Sequence, residues 1–347
     1  MADMVMNPYL PKRVLVEARC RHDRATEEIL GRLPGVPVRT IGSVSELESE
    51  PGWNSKETLV LVHYPGRFMK VCQGSGADTC CDYFIVSYAW NCHFECTYCV
   101  LQSYLSNEAM IVCTNLEDLM AEVRSTLELS PARIFRIGTG ELADSLALDP
   151  ITCYSRRMVP FFASLPNGVL ELKTKSDQIA NLENLDHQDH TVVAWSMNSR
   201  RICRTEEHNA PGFDERLAAA LKCQRWGYRL AFHFDPIVYD ELWEDEYKEV
   251  VTELFRSVDP DRVAWVSLGA LRFTPHLREL ARTRFPVSKI TYGEFVPGHH
   301  GKLRYFRPIR EEMYRKIRSW IKAEAPQVFV YLCMESRIVA KSVGSGQ

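Results

Sequence analysis

The chain has 347 residues, of which 46% are hydrophobic, so it is long enough for one large domain with appendages. It contains no run of 18 or more apolar residues and Met1–Leu10 lacks the charged and then apolar pattern of a signal peptide, so we expect a cytoplasmic protein without a membrane span. The net charge of −3 is unevenly distributed, because residues 272–341 carry 15 Lys and Arg but six Asp and Glu. This excess of positive charge either attracts a polyanion such as DNA or forms a solvated helical face.

Residues 1–82 are predicted to form a small N-terminal α/β segment. Short apolar runs bounded by polar residues indicate strands, and the amphipathic run between the first two indicates a helix. The predicted strands are Arg13–Ala18, Val36–Ile41 and Thr58–His63, and the predicted helix is Arg24–Leu33.

In residues 83–285 the predicted strands and helices alternate. The strands are Tyr83–Tyr88, Arg133–Ile137, Val169–Thr174, Thr191–Met197, Arg229–Phe234 and Arg262–Leu268. The helices are Leu116–Leu129, Ile151–Ser164, Asp177–Leu185, Phe213–Trp226, Trp243–Ser257 and Pro275–Arg284. Six such units predict an α/β fold with a partial (β/α)6 TIM-type barrel, in which chemistry gathers at the carboxyl ends of the strands.

Residues 286–341 are predicted to close the barrel as a basic C-terminal segment. Ile309–Ala323 has the pattern of an amphipathic helix, and Val328–Leu332 that of a closing strand. The last residues, 342–347, have the composition of a flexible tail.

Three of the twelve cysteines, Cys92, Cys96 and Cys99, have the spacing C-x3-C-x2-C directly after the first predicted barrel strand. A structural zinc site usually takes four protein ligands, whereas a cubane [4Fe-4S] cluster takes one thiolate per iron. Three local thiolates would leave the fourth iron open. This spacing, with the aromatic Tyr98 before the last cysteine, resembles the signature of radical S-adenosylmethionine (SAM) enzymes, in which the open iron chelates SAM. A zinc site or incidental buried thiols are the alternatives.

Polar residues at four later strand ends complete this resemblance to radical SAM enzymes. In those enzymes a glycine-rich turn with an acidic residue after the second strand binds the SAM amino group, and the cation after the third strand could meet its carboxylate. Hydrogen-bonding groups after the fourth and fifth strands could meet the ribose or adenine. The candidate residues are Gly138, Gly140, Glu141, Lys175, Ser196, Asn198 and Asp235. The alternatives are an ordinary tight turn at 138–141 and a surface lysine at 175.

Other cysteines and histidines carry weaker signals. Cys72, Cys80 and Cys81 precede the first barrel strand and either bind an auxiliary cluster or are packing thiols, because adjacent cysteines rarely ligate one metal. The pair His299-His300 is interpreted as a polar loop, and His233 as a structural histidine.

Longer motifs resemble the spore photoproduct lyase family from about Pro8 to Leu332. They are Cys92-His-Phe-Glu-Cys-Thr-Tyr-Cys-Val-Leu-Gln102, Leu172-Lys-Thr-Lys175, Trp195-Ser-Met-Asn198, Gly227-Tyr-Arg-Leu-Ala-Phe232 and Arg304-Tyr305. In that family a deoxyadenosyl radical abstracts hydrogen from the methylene bridge of a thymine dimer, and C–C cleavage restores two thymines. The resemblance implies a cluster on the three cysteines, SAM contacts at Lys175, Ser196 and Asn198, and catalytic roles for Tyr98, Arg304 and Tyr305.

Two family features are missing from this chain. The lyases have a hydrogen-donating cysteine after the second strand, where this chain has Gly138-Thr-Gly-Glu141, and a tyrosine after the last cluster cysteine, where it has Val100. Neither glycine nor valine replaces the S–H donor. Cys113 and Cys153 are other thiols near this region in sequence.

Three functions are therefore weighed. The first is a radical SAM lyase acting on a DNA thymine lesion or related nucleobase, with an electron donor such as flavodoxin or ferredoxin. Aromatic residues within the basic segment could support stacking on bases, although at helical spacing they are more often core: Tyr292, Tyr305, Phe306, Tyr314 and Trp320. The second keeps the radical chemistry on a small molecule or peptide, and the third is a non-catalytic metal-binding protein that binds nucleic acid.

Overall fold

The structure is a computed structural model that describes residues 8–49, 51–72, 83–298 and 301–344. Within these residues no helix is long and apolar enough to cross a membrane. The chain divides into two compact units: unit 1 contains the described residues up to 72, 83–93 and 104–191, and unit 2 contains 94–103 and the described residues from 192 onward. The boundaries predicted at 82, 285 and 341 differ from this division and stay a prediction.

Unit 1 contains a five-stranded sheet built largely from short apolar runs. In spatial order its strands are Val38–Ile41, Arg13–Glu17, Thr58–Val62, Met110–Cys113 and Ala89–Trp90. The first four are parallel and the last is antiparallel to its neighbour. Thr58–Val62 and Met110–Cys113 are buried along their whole length, as expected for central strands of a parallel sheet. The three predicted strands are confirmed, but the sheet is completed by two strands from beyond residue 82.

A second group of strands in unit 1 carries the predicted glycine-rich turn. Met69–Val71 pairs antiparallel with Tyr83–Val86, which is parallel to Phe135–Gly138 and then to Gly168–Thr174. The carboxyl ends of the three parallel strands therefore lie at one edge, as they do in a barrel. The helices of this unit are Arg24–Gly31, Leu116–Glu128, Asp149–Thr152 and Ser155–Ala163, and Leu101–Tyr104 is a single turn that leads into it.

Unit 2 contains four parallel strands in the order Thr191–Ser196, Arg229–Ile237, Val263–Ala270 and Val330–Leu332. Their side chains are buried almost throughout, as required for strands with both faces covered. The helices of this unit are Arg200–Glu206, Phe213–Arg225, Trp243–Ser257, Pro275–Arg284, Arg307–Glu324 and Arg337–Val343. His233 is buried and its Nδ1 lies 2.5 Å from Ser267 Oγ on the next strand, consistent with a structural role.

Two small antiparallel sheets complete unit 2. Glu95–Cys96 pairs with Glu207–His208. Arg272–Phe273 and Val296–Pro297 pair with the two sides of Leu303–Arg304.

Two helix predictions in unit 1 were wrong. Ile151–Ser164 is two helices, Asp149–Thr152 and Ser155–Ala163, because Cys153 between them has a left-handed backbone with φ 53°. The Asp149 carboxylate accepts hydrogen bonds from the Ser155 N–H and hydroxyl, which begins the second helix anew. Asp177–Leu185 contains only the 3-10 turn Ala180–Leu182, and Asn184 after it has φ 61°.

Two helices in unit 2 were not predicted. Arg200–Glu206 begins at Ser199, whose hydroxyl accepts from Ile202 N–H, and Arg337–Val343 begins in the same way at Ser336. The second helix ends at Gly344, which has a left-handed backbone. The flexible tail predicted from residue 342 was therefore wrong at its start, and 345–347 lie outside the described residues.

Candidate active site

Cys92 belongs to unit 1 and follows the short strand Ala89–Trp90. The chain turns at Asn91, whose φ is 74°. The Asn91 side chain accepts from Cys92 N–H at 2.8 Å and donates to Glu108 O at 2.8 Å, while its own N–H donates to Leu142 O. Asn91 thus fixes the backbone before Cys92 through its side chain and through its own N–H.

Cys96 and Cys99 belong to unit 2 and lie in a tight turn. Cys99 N–H donates to Cys96 O at 3.1 Å, and the Gln102 amide donates to Cys96 O and Thr97 O at 2.9 and 3.3 Å. Cys96 is buried, whereas Cys99 is only partly buried. Gln102, which the family motif includes, therefore closes the turn between the two cysteines.

The donor set fits a cubane cluster. All ten cysteines among the described residues are free thiols, so Cys92, Cys96 and Cys99 are not consumed by disulfides. Within that part of the chain, no three His, Cys, Asp or Glu side chains form a group that could hold one metal ion. Three thiolates are nevertheless the donor set that a cubane cluster with one open iron takes, since each thiolate binds a different iron. Cys72 is partly buried, and Cys80, Cys81, His299 and His300 lie outside the described residues.

The predicted glycine-rich turn of unit 1 lies close against the neighbouring strand. A Cβ on Gly140 would lie 2.8 Å from Lys173 O, and one on Gly138 would collide with the Tyr83 phenol. Thr139 bonds to Ser145 through their hydroxyls at 2.8 Å. The glycines are thus needed for close approach. Glu141, the predicted partner of the SAM amino group, is exposed to solvent.

Asp144 ties this turn to the strand end that carries Lys175. One of its carboxylate oxygens accepts from Lys175 N–H at 2.7 Å, and the other accepts from the Thr174 hydroxyl at 2.6 Å. Asp144 also accepts from the N–H groups of Leu146 and Ala147. Lys175 itself is partly buried. Sequence analysis missed Asp144, whose only signal is its position three residues after Glu141.

In unit 2, the Asn198 amide is engaged by protein groups on every side. Its Nδ2 donates to Glu207 at 3.3 Å and to Pro236 O at 3.2 Å, and its Oδ1 accepts from the Tyr247 hydroxyl and from Ser199 N–H. These bonds use both donors and both acceptor positions of the amide. Its expected contact with SAM therefore stays a prediction.

Ser196 and Asp235 are held by two arginines of unit 2, the fully buried Arg216 and the partly buried Arg272. Arg216 donates to Ser196 O at 2.9 Å and also pairs with Glu207. Arg272 donates to both oxygens of Asp235, at 2.9 and 3.1 Å, and to Ala270 O. Burial lowers the pKa of Arg272, but the Asp235 carboxylate beside it outweighs this and raises the pKa, so the guanidinium stays charged.

Tyr98 donates its hydroxyl to Glu207. Burial and the Glu207 carboxylate raise the pKa of the Tyr98 phenol well above its usual value, so the phenol is neutral. Glu207 and Arg216 were missed by sequence analysis because they are 109 and 118 positions from Tyr98 and belong to no motif.

Arg304 and Tyr305, the predicted lesion residues, are both buried in unit 2. Arg304 donates to Met334 O at 2.9 Å and lies 3.5 Å from the Glu335 carboxylate. The Tyr305 hydroxyl accepts from Tyr239 N–H, and its ring stacks on Phe295 at 4.9 Å. Their roles at a lesion stay predictions.

The fold and the cysteine loop define a class of protein: an α/β radical SAM enzyme with a partial TIM-type barrel. The sequence family described as "Spore photoproduct lyase" matches residues 36–334. The chain therefore belongs to the spore photoproduct lyase family, and the predicted family and fold class are confirmed.

Individual relatives are similar in sequence to this chain over most of its length. Spore photoproduct lyase from a Geobacillus species is 26% identical over 94% of this chain and 99% of the relative. The Bacillus subtilis enzyme is 23% identical over 84% of this chain and 86% of its own. A solved spore photoproduct lyase variant with bound AdoMet and dinucleoside spore photoproduct has 26% identity and a TM-score of 0.86, covering 94% of this chain and 100% of its own.

Proposed function

We propose that this chain is a radical SAM lyase that acts on the spore photoproduct, a thymine lesion in DNA. The cysteine loop carries the proposal, because it lies in a chain that matches a structure with AdoMet and the lesion over 94% of its length. The chain also covers 99% of the length of its Geobacillus relative.

Cys92, Cys96 and Cys99 would hold a [4Fe-4S] cluster. With SAM bound, such a cluster would supply the radical chemistry that removes hydrogen from the methylene bridge of the lesion. The contribution of the protein to this chemistry is to hold the backbone of the cysteine loop in place. Asn91 fixes the backbone before Cys92, and Gln102 fixes the turn between Cys96 and Cys99.

The strand ends of unit 1 would bind the methionine part of SAM. The turn at Gly138 and Gly140 exposes backbone close to the neighbouring strand, and Lys175 would pair with the SAM carboxylate. Asp144 supports this role because it holds Lys175 and the turn in one arrangement before any ligand arrives. In unit 2, Ser196 and Asp235 would face the nucleoside part.

A cationic and aromatic patch of unit 2, in which Lys289 and Tyr292 are exposed and Arg282 is partly buried, suits the DNA backbone. Tyr292 is 51% exposed, and the Arg282 guanidinium and Lys289 ammonium lie 4.2 and 5.3 Å from its ring centre. Neither cation has a carboxylate partner among the described residues. By contrast, Arg307 and Arg310 of the same basic segment are paired with glutamates. We therefore assign phosphate contacts to Arg282 and Lys289 rather than to the basic segment as a whole.

The missing cysteine after the second strand affects the last step, the return of hydrogen to the product thymine. Cys113, one alternative thiol, is buried in a central strand of unit 1, and burial raises the pKa of its thiol. A donor must contact the carbon radical, so Cys113 is unsuited to this role. The electron donor would be a flavodoxin or ferredoxin of the cytoplasm.

The test uses anaerobically reconstituted protein reduced in the presence of SAM, with 5′-deoxyadenosine and thymine measured. Lesion-dependent thymine recovery from an oligonucleotide that carries the spore photoproduct is the expected result. A Cys99→Ala protein provides the background. Deoxyadenosine without thymine recovery would move the substrate to a small molecule or peptide, and no deoxyadenosine from a loaded cluster would refute the radical SAM assignment.

A further inference from the structure

A short segment of unit 2, Glu206–His208, runs antiparallel to the strand that leads into the second and third cysteines. Glu207 is opposite Cys96 and His208 is opposite Glu95. The ladder continues for one more bond, because Thr97 N–H donates to Glu206 O at 2.8 Å. The backbone of the segment thus follows the cysteine arm, which we define as residues 95–99.

The side chains of the same segment hold the two residues that separate Cys96 from Cys99. The Thr97 hydroxyl donates to the Glu206 carboxylate at 2.5 Å, and the Tyr98 hydroxyl donates to the Glu207 carboxylate. Each of the two intervening residues therefore has its own glutamate. Thr97 is fully buried and the two glutamates are 7% and 2% exposed, so water does not compete for these bonds.

Both carboxylates have a second partner, which for Glu206 reaches the same oxygen as Thr97 and for Glu207 reaches the other oxygen. Glu206 also accepts from the Ser288 hydroxyl at 2.6 Å, and Glu207 pairs with Arg216, which is 0% exposed. Among the described residues Glu206 has hydroxyl donors but no Lys or Arg partner. Burying a carboxylate in this way costs free energy. Apolar residues of similar size would stabilise the fold at least as well, so stability alone does not explain these buried carboxylates.

We infer that Glu206 and Glu207 are positioning residues for the cluster, which fix Thr97 and Tyr98 and thereby set the direction of the Cys96 and Cys99 thiolates. Ligand orientation by groups behind the ligands typically changes metal affinity by about 10- to 100-fold. The inference rests on the proposed function, because it assumes iron at the two cysteines. It goes beyond that function in naming residues outside every motif of the family.

Two substitutions break these bonds and still leave each glutamate a partner, Ser288 for Glu206 and Arg216 for Glu207. Thr97→Val removes the hydroxyl that reaches Glu206, and Tyr98→Phe removes the one that reaches Glu207. Changing Glu207 itself would strand Arg216 and risk unfolding. Thr205→Val is the matched control for the first, because the exposed Thr205 hydroxyl bonds only within its helix, to Arg201 O. Tyr104→Phe, at a 66% exposed tyrosine, is the control for the second.

The experiment measures iron release to a chelator from anaerobically reconstituted protein, alongside the EPR spectrum of the reduced cluster and the melting temperature of the apoprotein. Thr97→Val and Tyr98→Phe are each expected to release iron about tenfold faster and to alter the EPR line shape. Both controls should match the wild type. Release within twofold of wild type for both variants would overturn the inference, whatever the melting temperatures. A wild-type chain that takes up no cluster would instead refute the proposed function.

Discussion

Gly140 provides a sharp test of how the glycine-rich turn is built. In a Gly140→Ala variant the new Cβ would lie 2.8 Å from Lys173 O and 2.9 Å from Lys173 Cβ. Neither atom is the far end of a flexible side chain. Lys173 O also accepts from Ser145 N–H at 3.1 Å, so the carbonyl cannot move away without breaking that bond. The turn must therefore shift, and with it the Asp144 carboxylate that holds Lys175.

The expected cost follows from overpacking a well-packed site, which is about 1–3 kcal/mol. For a chain of 347 residues that corresponds to a fall of about 1–4 °C in the melting temperature of the apoprotein. Gly31→Ala is the matched control, because a Cβ there has nothing within 4 Å and the position is helical, so stability should rise by about 0.5–1 kcal/mol. The SAM affinity of the Gly140→Ala protein with its cluster bound should fall at least about tenfold. A misplaced Lys175 would lose its charged hydrogen bond to the SAM carboxylate, which contributes about 1.5–3 kcal/mol. An unchanged melting temperature would refute the steric reasoning.

Three further predictions separate the roles of individual side chains. Cys96→Ala should abolish iron uptake after anaerobic reconstitution. The control Cys223→Ala, at a fully buried thiol elsewhere in unit 2, should retain iron and lose only about 1–2 kcal/mol of stability by thermal melting. Equal iron contents in the two variants would contradict the assignment of Cys96 as a ligand. Lys289→Glu and Tyr292→Ala should weaken binding to lesion-containing DNA, and the lysine change should lower the salt dependence of binding by about one phosphate contact in a fluorescence anisotropy titration. Cys113→Ala should leave thymine recovery per deoxyadenosine unchanged, and a fall in that ratio at an unchanged melting temperature would make Cys113 the hydrogen donor.

The strands and helices with strong patterns could be predicted from the sequence. Trp243–Ser257 and Pro275–Arg284 have the predicted bounds, because their apolar faces recur at helical spacing and each has a clear beginning and end. Met110–Cys113 was missed because a buried run of four residues is too short to be distinguished from a loop. The division of the predicted helix at Cys153 depends on Asp149 and Ser155, a contact that periodicity does not encode.

The candidate site also contains residues that the sequence could predict and residues that it could not. The cysteine spacing and the strand-end residues could be predicted, since they lie in short motifs with their own chemistry. Glu207 could not, because it contacts Tyr98 only after helix Arg200–Glu206 has brought it opposite Cys96. The exposure of the aromatics in the basic segment also required the structure: Tyr314 is 1% exposed and Tyr292 is 51% exposed, although both lie in the same charged stretch.

Both units use a carboxylate behind the binding residues rather than among them. Asp144 in unit 1 accepts from the backbone of Lys175, and Glu207 in unit 2 accepts from Tyr98 and Asn198. An ionised carboxylate makes charge-assisted bonds to several donors at once, so a single side chain can fix a loop that has no regular structure. Of the two acidic residues that the sequence suggested as ligands, Asp235 pairs with Arg272, whereas Glu141 is exposed and makes no such bond among the described residues. Asp144→Asn would place an NH2 donor against N–H donors, either that of Lys175 or those of Leu146 and Ala147. In a SAM-binding titration this loss should weaken SAM binding as strongly as removal of the Lys175 charge.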